Sequence, residues 1–154
     1  MAHHLAQVNI ARLVAPIDDP RIDEFRQALE RINTLGDQAP GAVWRLKGSS
    51  ESHGSTDLRW PGTPDDPLMI TNLTVWTDIE SFRQFVYKSA HADFLRRRRS
   101  WFEPSSEPQL ALWWIEAGHR PDLEEGAERL ARLRADGPTP FAFSLRQTYP
   151  PPTE

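Results

Sequence analysis

His91 is the side chain best suited to chemistry in this sequence, because a neutral imidazole near pH 7 can accept a proton, steer an enolate or phenolate, or ligate iron. Counted at about 100° per residue from His91, Leu95, Arg98 and Phe102 fall on one side of a helix with Phe94 and Trp101 flanking, while Arg96 and Arg97 point away. His91 therefore lies on the stripe expected to face the core, either as a proton acceptor in a pocket or as a core histidine bonded to a carbonyl. Arg98 shares that side and, like Arg45, offers a rigid fork of donors for a carboxylate or phenolate; its structural alternative is a pair with Glu103, Glu107 or Glu116. Asn9 stands on the polar face of the first strand, where an amide orients a substrate carbonyl, stabilises an oxyanion or bonds a loop.

Six tryptophans is a heavy load for 154 residues. Trp44, Trp76, Trp101, Trp113 and Trp114, with Phe85 and Phe94, are expected to wall an aromatic cavity as well as fill the core. His119, just ahead of a helix opening at Pro121, is placed to bind an anion at that N-terminus or to cap it. His3, His4 and His53 lack metal-ligand spacing, so no metal site is expected. No Gly-rich phosphate loop, serine elbow or paired-carboxylate motif is present, which leaves nucleotide cofactors and hydrolase triads without support.

The elements that position these residues follow from periodicity. From Leu5 to Leu13, Ala6, Val8 and Ile10 alternate with Gln7 and Asn9, which predicts a strand with one polar face. Asp19-Pro20 starts a helix carrying Ile22, Phe25, Leu29 and Ile32 and stopping at Gly36. A second strand is expected over Ala42–Lys47, then a long loop over Gly48–Asp66 rich in Ser, Gly, Pro and Asp. Leu68–Trp76 reads as a third strand buried on both faces, and Thr77 with Glu80 as the capping box of a second helix. Leu110–Ala117 is the fourth strand, Pro121–Asp136 a further helix stopped by Gly137-Pro138, and Phe141–Arg146 an extended segment before a Pro-rich tail.

The order β-α-β-β-α-β is the ferredoxin-like arrangement. One α+β domain over 1–154 is expected, with a core at about 3–117 and a C-terminal helix and extension at about 118–154. Helices on one side leave the sheet's other face open, and the apolar residues on both faces of strands three and four require a second subunit or the C-terminal extension to cover it. A homodimer is expected.

Composition excludes several classes. There are no cysteines, hence no disulfide framework, thiolate metal site or thiol nucleophile. The net charge of −4 opposes a nucleic-acid-binding surface, and the run Arg96–Arg99 is mostly solvated helix. No signal peptide or bilayer-spanning run is visible, so a cytoplasmic protein with no membrane partner is expected.

Asn9, Gly41-Ala42-Val43-Trp44-Arg45, Val75-Trp76, Phe85 to His91, Arg97 to Phe102, Leu112-Trp113-Trp114 and Gly118-His119-Arg120-Pro121 resemble, over essentially the whole chain, a bacterial family described only as a domain of unknown function. That resemblance implies the dimeric α+β barrel superfamily, with its antibiotic-biosynthesis monooxygenases, haem-degrading enzymes, isomerases and cyclases. In the small monooxygenases and haem degraders a histidine stands well along the second helix, as His91 does here. The haem degraders also use a first-strand asparagine, matched by Asn9, and a tryptophan early in the second helix, where this chain has Phe85.

Taken together, the leading expectation is a pocket for a small aromatic or polyketide-like metabolite in an enzyme without cofactor, performing oxygenation, cyclisation or isomerisation. His91 is the expected base, with Asn9 and Arg98 orienting oxygens. Trp44, Arg45, Trp76, Phe85, Phe94, Trp101, Trp113 and His119 are the expected binding residues. The alternatives are a haem protein with His91 as axial ligand and a non-catalytic dimeric binding module.

Overall fold

Alternation along the first strand sets the arrangement of everything else. The computed structural model describes residues 2–48, 58–88, 96–97 and 100–153. In it β1 (His3–Arg12), β2 (Ala42–Arg45), β3 (Met69–Trp76) and β4 (Leu110–Glu116) form one antiparallel sheet in the order β2-β3-β1-β4. Leu5 lies opposite both Trp76 and Trp114, and Asn9 opposite Asn72 and Leu110. Because side chains alternate across a strand, Gln7, Asn9, Asn72, Thr74 and Trp76 share one face. Ala6, Val8, Leu73, Val75 and Trp113 share the other. This is the ferredoxin-like arrangement the element order predicts.

Helices α1 (Asp23–Gln38) and α2 (Ile79–Lys88) cover the face that carries the amides. Phe25 and Leu29 of α1 pack with Ile70, while Phe82 and Val86 of α2 pack with Leu5 and Trp76. Asp19 accepts the Arg21 N–H at 2.8 Å and starts a 3-10 turn, Pro20–Ile22, that leads into α1. The helix does not stop at Gly36. It continues to Gln38, and the glycine is used inside it, since a Cβ there would lie 3.4 Å from the Phe85 ring. The α2 cap also differs from the expected capping box: Asp78, not Thr77, accepts the Ser81 N–H, at 2.7 Å. Those bonds to the helix N-terminus hold the Asp78 carboxyl below its ordinary range. At Gly41, φ is +86° and a side chain would collide with Ser81, so glycine alone suits the turn into β2.

Helix α3 (Leu123–Asp136) covers the opposite face. Leu130 and Leu133 pack on Ala6, Val8, Ala111 and Trp113, and Trp60 from the long loop joins them. The face that a partner or the C-terminal extension had to cover is thus covered by the extension, and Val14, Val43 and Tyr87 are the large apolar side chains left exposed among the described residues. Beyond α3 the chain turns round the β4 edge. Leu112 and Phe143 exchange two backbone hydrogen bonds of 2.8 and 2.9 Å, and Leu145 O accepts from Arg83 on α2 at 3.2 Å. The tail therefore ties α3, β4 and α2 together and occupies a sheet edge that would otherwise be unpaired. Among the described residues no helix is long and apolar enough to cross a membrane.

Candidate functional site

A cleft of about 760 Å³ opens between the amide-bearing face of the sheet and helices α1 and α2. Its floor is polar because the odd-numbered residues of β1 and the even-numbered residues of β3 meet there in register. Gln7, fully buried, donates from Nε2 to Asn72 Oδ1 at 2.7 Å and to Thr74 Oγ1 at 2.8 Å, and accepts from Asn9 Nδ2 at 2.9 Å. Trp76 Nε1 donates to the same Thr74 hydroxyl at 2.8 Å. With two bonds received, Thr74 keeps its own hydroxyl hydrogen to give. Asn72 keeps its Nδ2 hydrogens, and Asn9 keeps Oδ1 and one amide hydrogen. A buried and satisfied core residue, Gln7, thereby orients three neighbours that still have bonding capacity, and all three line the cleft.

The walls are aromatic and aliphatic. Trp76 stands 5.3 Å from Phe85 and 5.5 Å from Phe82, centroid to centroid. Phe25 meets Phe102 edge to face at 5.1 Å. The segment carrying Phe102 is held at the end of β1 by the Leu13–Phe102 bridge and by Glu103 N–H to Arg12 O at 2.8 Å. Arg12 also pairs with Asp66, at 2.8 Å, and with Glu103.

On the α1–β2 side, Arg45 Nε and Nη2 each donate to Asp37 at 2.9 Å. The guanidinium bond holds the Asp37 carboxyl below its ordinary range, against the opposing effect of partial burial and with a smaller contribution from Lys47. Arg45 Nη1 and the Nδ2 of Asn33, a residue only 8% exposed, are buried there without a hydrogen-bond partner.

The cleft brings together Asn9, Trp44, Arg45, Trp76 and Phe85 of the residues singled out from sequence. Trp44 is shared between faces: a register shift between Ala42 and Trp44 turns it toward the α3 side, where Arg120 stacks on it at 5.8 Å. Trp101, Trp113 and His119 are placed elsewhere. Trp101 fills the core beside Phe25, 5.8 Å away. Trp113 lies under α3 on the opposite face and donates from Nε1 to Glu125 at 2.8 Å; His119 meets the same Glu125 at 2.7 Å. Those two belong to the seating of α3, with Asp122 as its N-cap accepting the Glu125 N–H. His91, Phe94 and Arg98 lie outside the described residues.

Asn33, Asp37, Asn72 and Thr74 were not singled out from sequence. Asn72 and Thr74 repeat the polar alternation of Gln7 and Asn9 within an apolar strand, and Asn33 follows Leu29 by four residues on the apolar stripe of α1. Asn33, Asn72 and Thr74 are polar residues where periodicity demands an apolar one, whereas Asp37 is exposed and carries no such mark.

A four-stranded antiparallel sheet with α1 and α2 on one face and a cleft between them defines a ferredoxin-like α+β protein. The chain belongs to the family of the domain of unknown function DUF3291, whose model matches residues 4–154. Similar solved structures include PA3566 from Pseudomonas aeruginosa, at 9% identity and a TM-score of 0.50, covering 77% of this chain and 98% of that one. Another is SnoaB from Streptomyces nogalater, a cofactor-independent oxygenase, at 16% identity and a TM-score of 0.48, covering 77% of this chain and 97% of that one. What is shared at these identities is the fold. No curated protein matches the chain.

Proposed function

We propose that this chain is an enzyme that acts, without a cofactor, on a small aromatic or polyketide-like metabolite held in the cleft, by oxygenation, cyclisation or isomerisation. The observation that carries this reading is the cleft itself, in which aromatic walls stand over a floor of three hydrogen-bonding side chains oriented by Gln7. Its volume of about 760 Å³ falls within the range of about 300–1,000 Å³ usual for small-molecule sites. Such a site buries a flat ring against Trp76 and Phe85 while Asn72 and Thr74 donate to its oxygens. Asn9 then accepts from a ring hydroxyl or donates to a carbonyl. His91 is the proposed base that takes the substrate proton, with Arg98 a proposed partner for the oxygen left negative. Hydrogen bonds offered to that oxygen stabilise the enolate or phenolate from which each of the three reactions proceeds.

The haem alternative has less behind it. Among the described residues that line the cleft none carries an imidazole, thioether or phenol able to hold haem iron, so that reading rests on His91 alone.

Aerobic incubation with a panel of hydroxylated two- to four-ring aromatics, no cofactor added and products read by mass spectrometry, tests the proposal. At least one compound is converted, and His91→Ala lowers turnover by about 10²- to 10⁴-fold while binding persists. Binding of the panel with no conversion would make the chain a binding module, and no binding at all would remove the cleft from the account.

A further inference from the structure

Three amides on the cleft floor form a chain with a direction. Asn9 Nδ2 donates to Gln7 Oε1 at 2.9 Å, and Gln7 Nε2 donates to Asn72 Oδ1 at 2.7 Å and to Thr74 Oγ1 at 2.8 Å. Each amide has a donor end and an acceptor end, so a chain of three leaves opposite ends free. Those ends are Oδ1 of Asn9 and Nδ2 of Asn72. Neither is hydrogen-bonded among the described residues and neither is sealed from solvent; both belong to half-buried side chains that line the cleft.

Turning all three amides over together preserves every bond, with the Thr74 hydroxyl then donating to Gln7 and still accepting from Trp76, and exchanges only the two ends. Whichever way the chain runs, the cleft shows one donor and one acceptor. A single amide cannot turn alone, because oxygen would then face oxygen, or N–H face N–H, against a Gln7 that is fully buried.

The two ends are also adjacent. Asn9 and Asn72 are direct partners across β1 and β3, where side chains start about 4.5–5.5 Å apart, a gap that two diverging hydrogen bonds from neighbouring atoms of one ring can span. A ligand that displaces solvent from both ends keeps its affinity only if it replaces one bond of each kind.

We propose that the Asn9–Gln7–Asn72 chain selects rings whose edge carries one donor beside one acceptor, as a cyclic lactam or its hydroxy-imine tautomer does, and rejects edges that carry two acceptors. The inference rests on the cleft being the substrate site and narrows the substrate class to rings with that edge. Gln7 is a positioning residue: it is buried beneath its neighbours and sets the polarity of both.

Calorimetric titration with 2-quinolone and coumarin tests this. The two share one bicyclic frame and differ in a ring N–H against a ring oxygen, so coumarin offers two acceptors where quinolone offers a donor and an acceptor. The wild type binds 2-quinolone at least about tenfold more tightly than coumarin, because the lactone oxygen leaves one end of the chain facing a like group. Asn9→Leu and Asn72→Leu, each checked for folding by its melting temperature, are titrated with the same probes. At least one of them abolishes the preference, weakening quinolone by about tenfold and coumarin by less than about twofold, and which one does so shows the direction of the chain. Equal affinity for the two probes in the wild type, or a preference kept by both variants, overturns the inference while leaving the cleft reading intact. The wild-type comparison decides on its own if neither variant folds. If neither probe binds the wild type, both fall.

Discussion

A Cβ placed on Gly126 of α3 would lie 3.2 Å from Cγ2 of Val8 at the centre of β1. Helix and strand meet there with only the Val8 side chain between them, and the contact brings α3 close onto the face opposite the cleft. Gly126→Val puts branched carbon where Val8 already is, and overpacking of this kind costs about 1–3 kcal/mol. The expected result is a lower melting temperature, with increased self-association in sedimentation velocity as the Val8–Leu73–Trp113 surface is uncovered. Unchanged stability and association would mean that α3 is not seated as described.

Gln7 holds the floor of the cleft together. Gln7→Leu keeps the volume but removes the bonds to Asn9, Asn72 and Thr74, leaving partly buried amides to seek other partners. The expected loss is about 1–3 kcal/mol in urea denaturation. Ligand affinity falls as well, although Gln7 itself is fully buried. Loss of stability with full retention of affinity would separate the network from binding.

Asp37 gives a dependence on pH whose sign is set by its pairing with Arg45. Its folded value lies below the ordinary carboxylate value, so the pair's stabilisation is present above about pH 4, the unfolded value, and is lost as pH falls through the lower folded value. Asp37→Asn removes that carboxylate. Urea midpoints followed from about pH 6 down to about pH 2.5 are therefore expected to fall less steeply in the variant than in the wild type. Parallel profiles would show that the pair does not form in solution.

Much of the fold was legible because alternation and helical stripes report burial directly. Ala6, Val8 and Ile10 against Gln7 and Asn9 predicted a strand with one polar face, and that face is the cleft floor. The spread of the tryptophans was legible only in part. Trp113 and Trp114 are adjacent on one strand and so must point to opposite faces; the parity was visible, but which face held the cleft required the register of β4 on β1. Asn33 was hidden in an apolar stripe, where one amide looks like an imperfect pattern until the cleft beside it is seen. The pairing of Asp37 with Arg45 joins a helix to a strand, and no local period encodes such a contact. The cover over the second face was open to two solutions, a second copy or the C-terminal extension, and the packing of Leu130 and Leu133 on β1 and β4 is what decides for the extension.

The most direct test reads the indole N–H signals of the ¹⁵N-labelled protein by NMR during titration with a hydroxylated aromatic ligand. Trp76 Nε1 lies on the cleft floor beside Thr74, whereas Trp113 Nε1 is bonded to Glu125 under α3 and Trp114 Nε1 to Tyr149 O in the tail. The Trp76 signal is expected to shift with ligand concentration while those of Trp113 and Trp114 stay in place. A stationary Trp76 signal with movement at Trp113 or Trp114 would put the binding site on another surface and contradict the account.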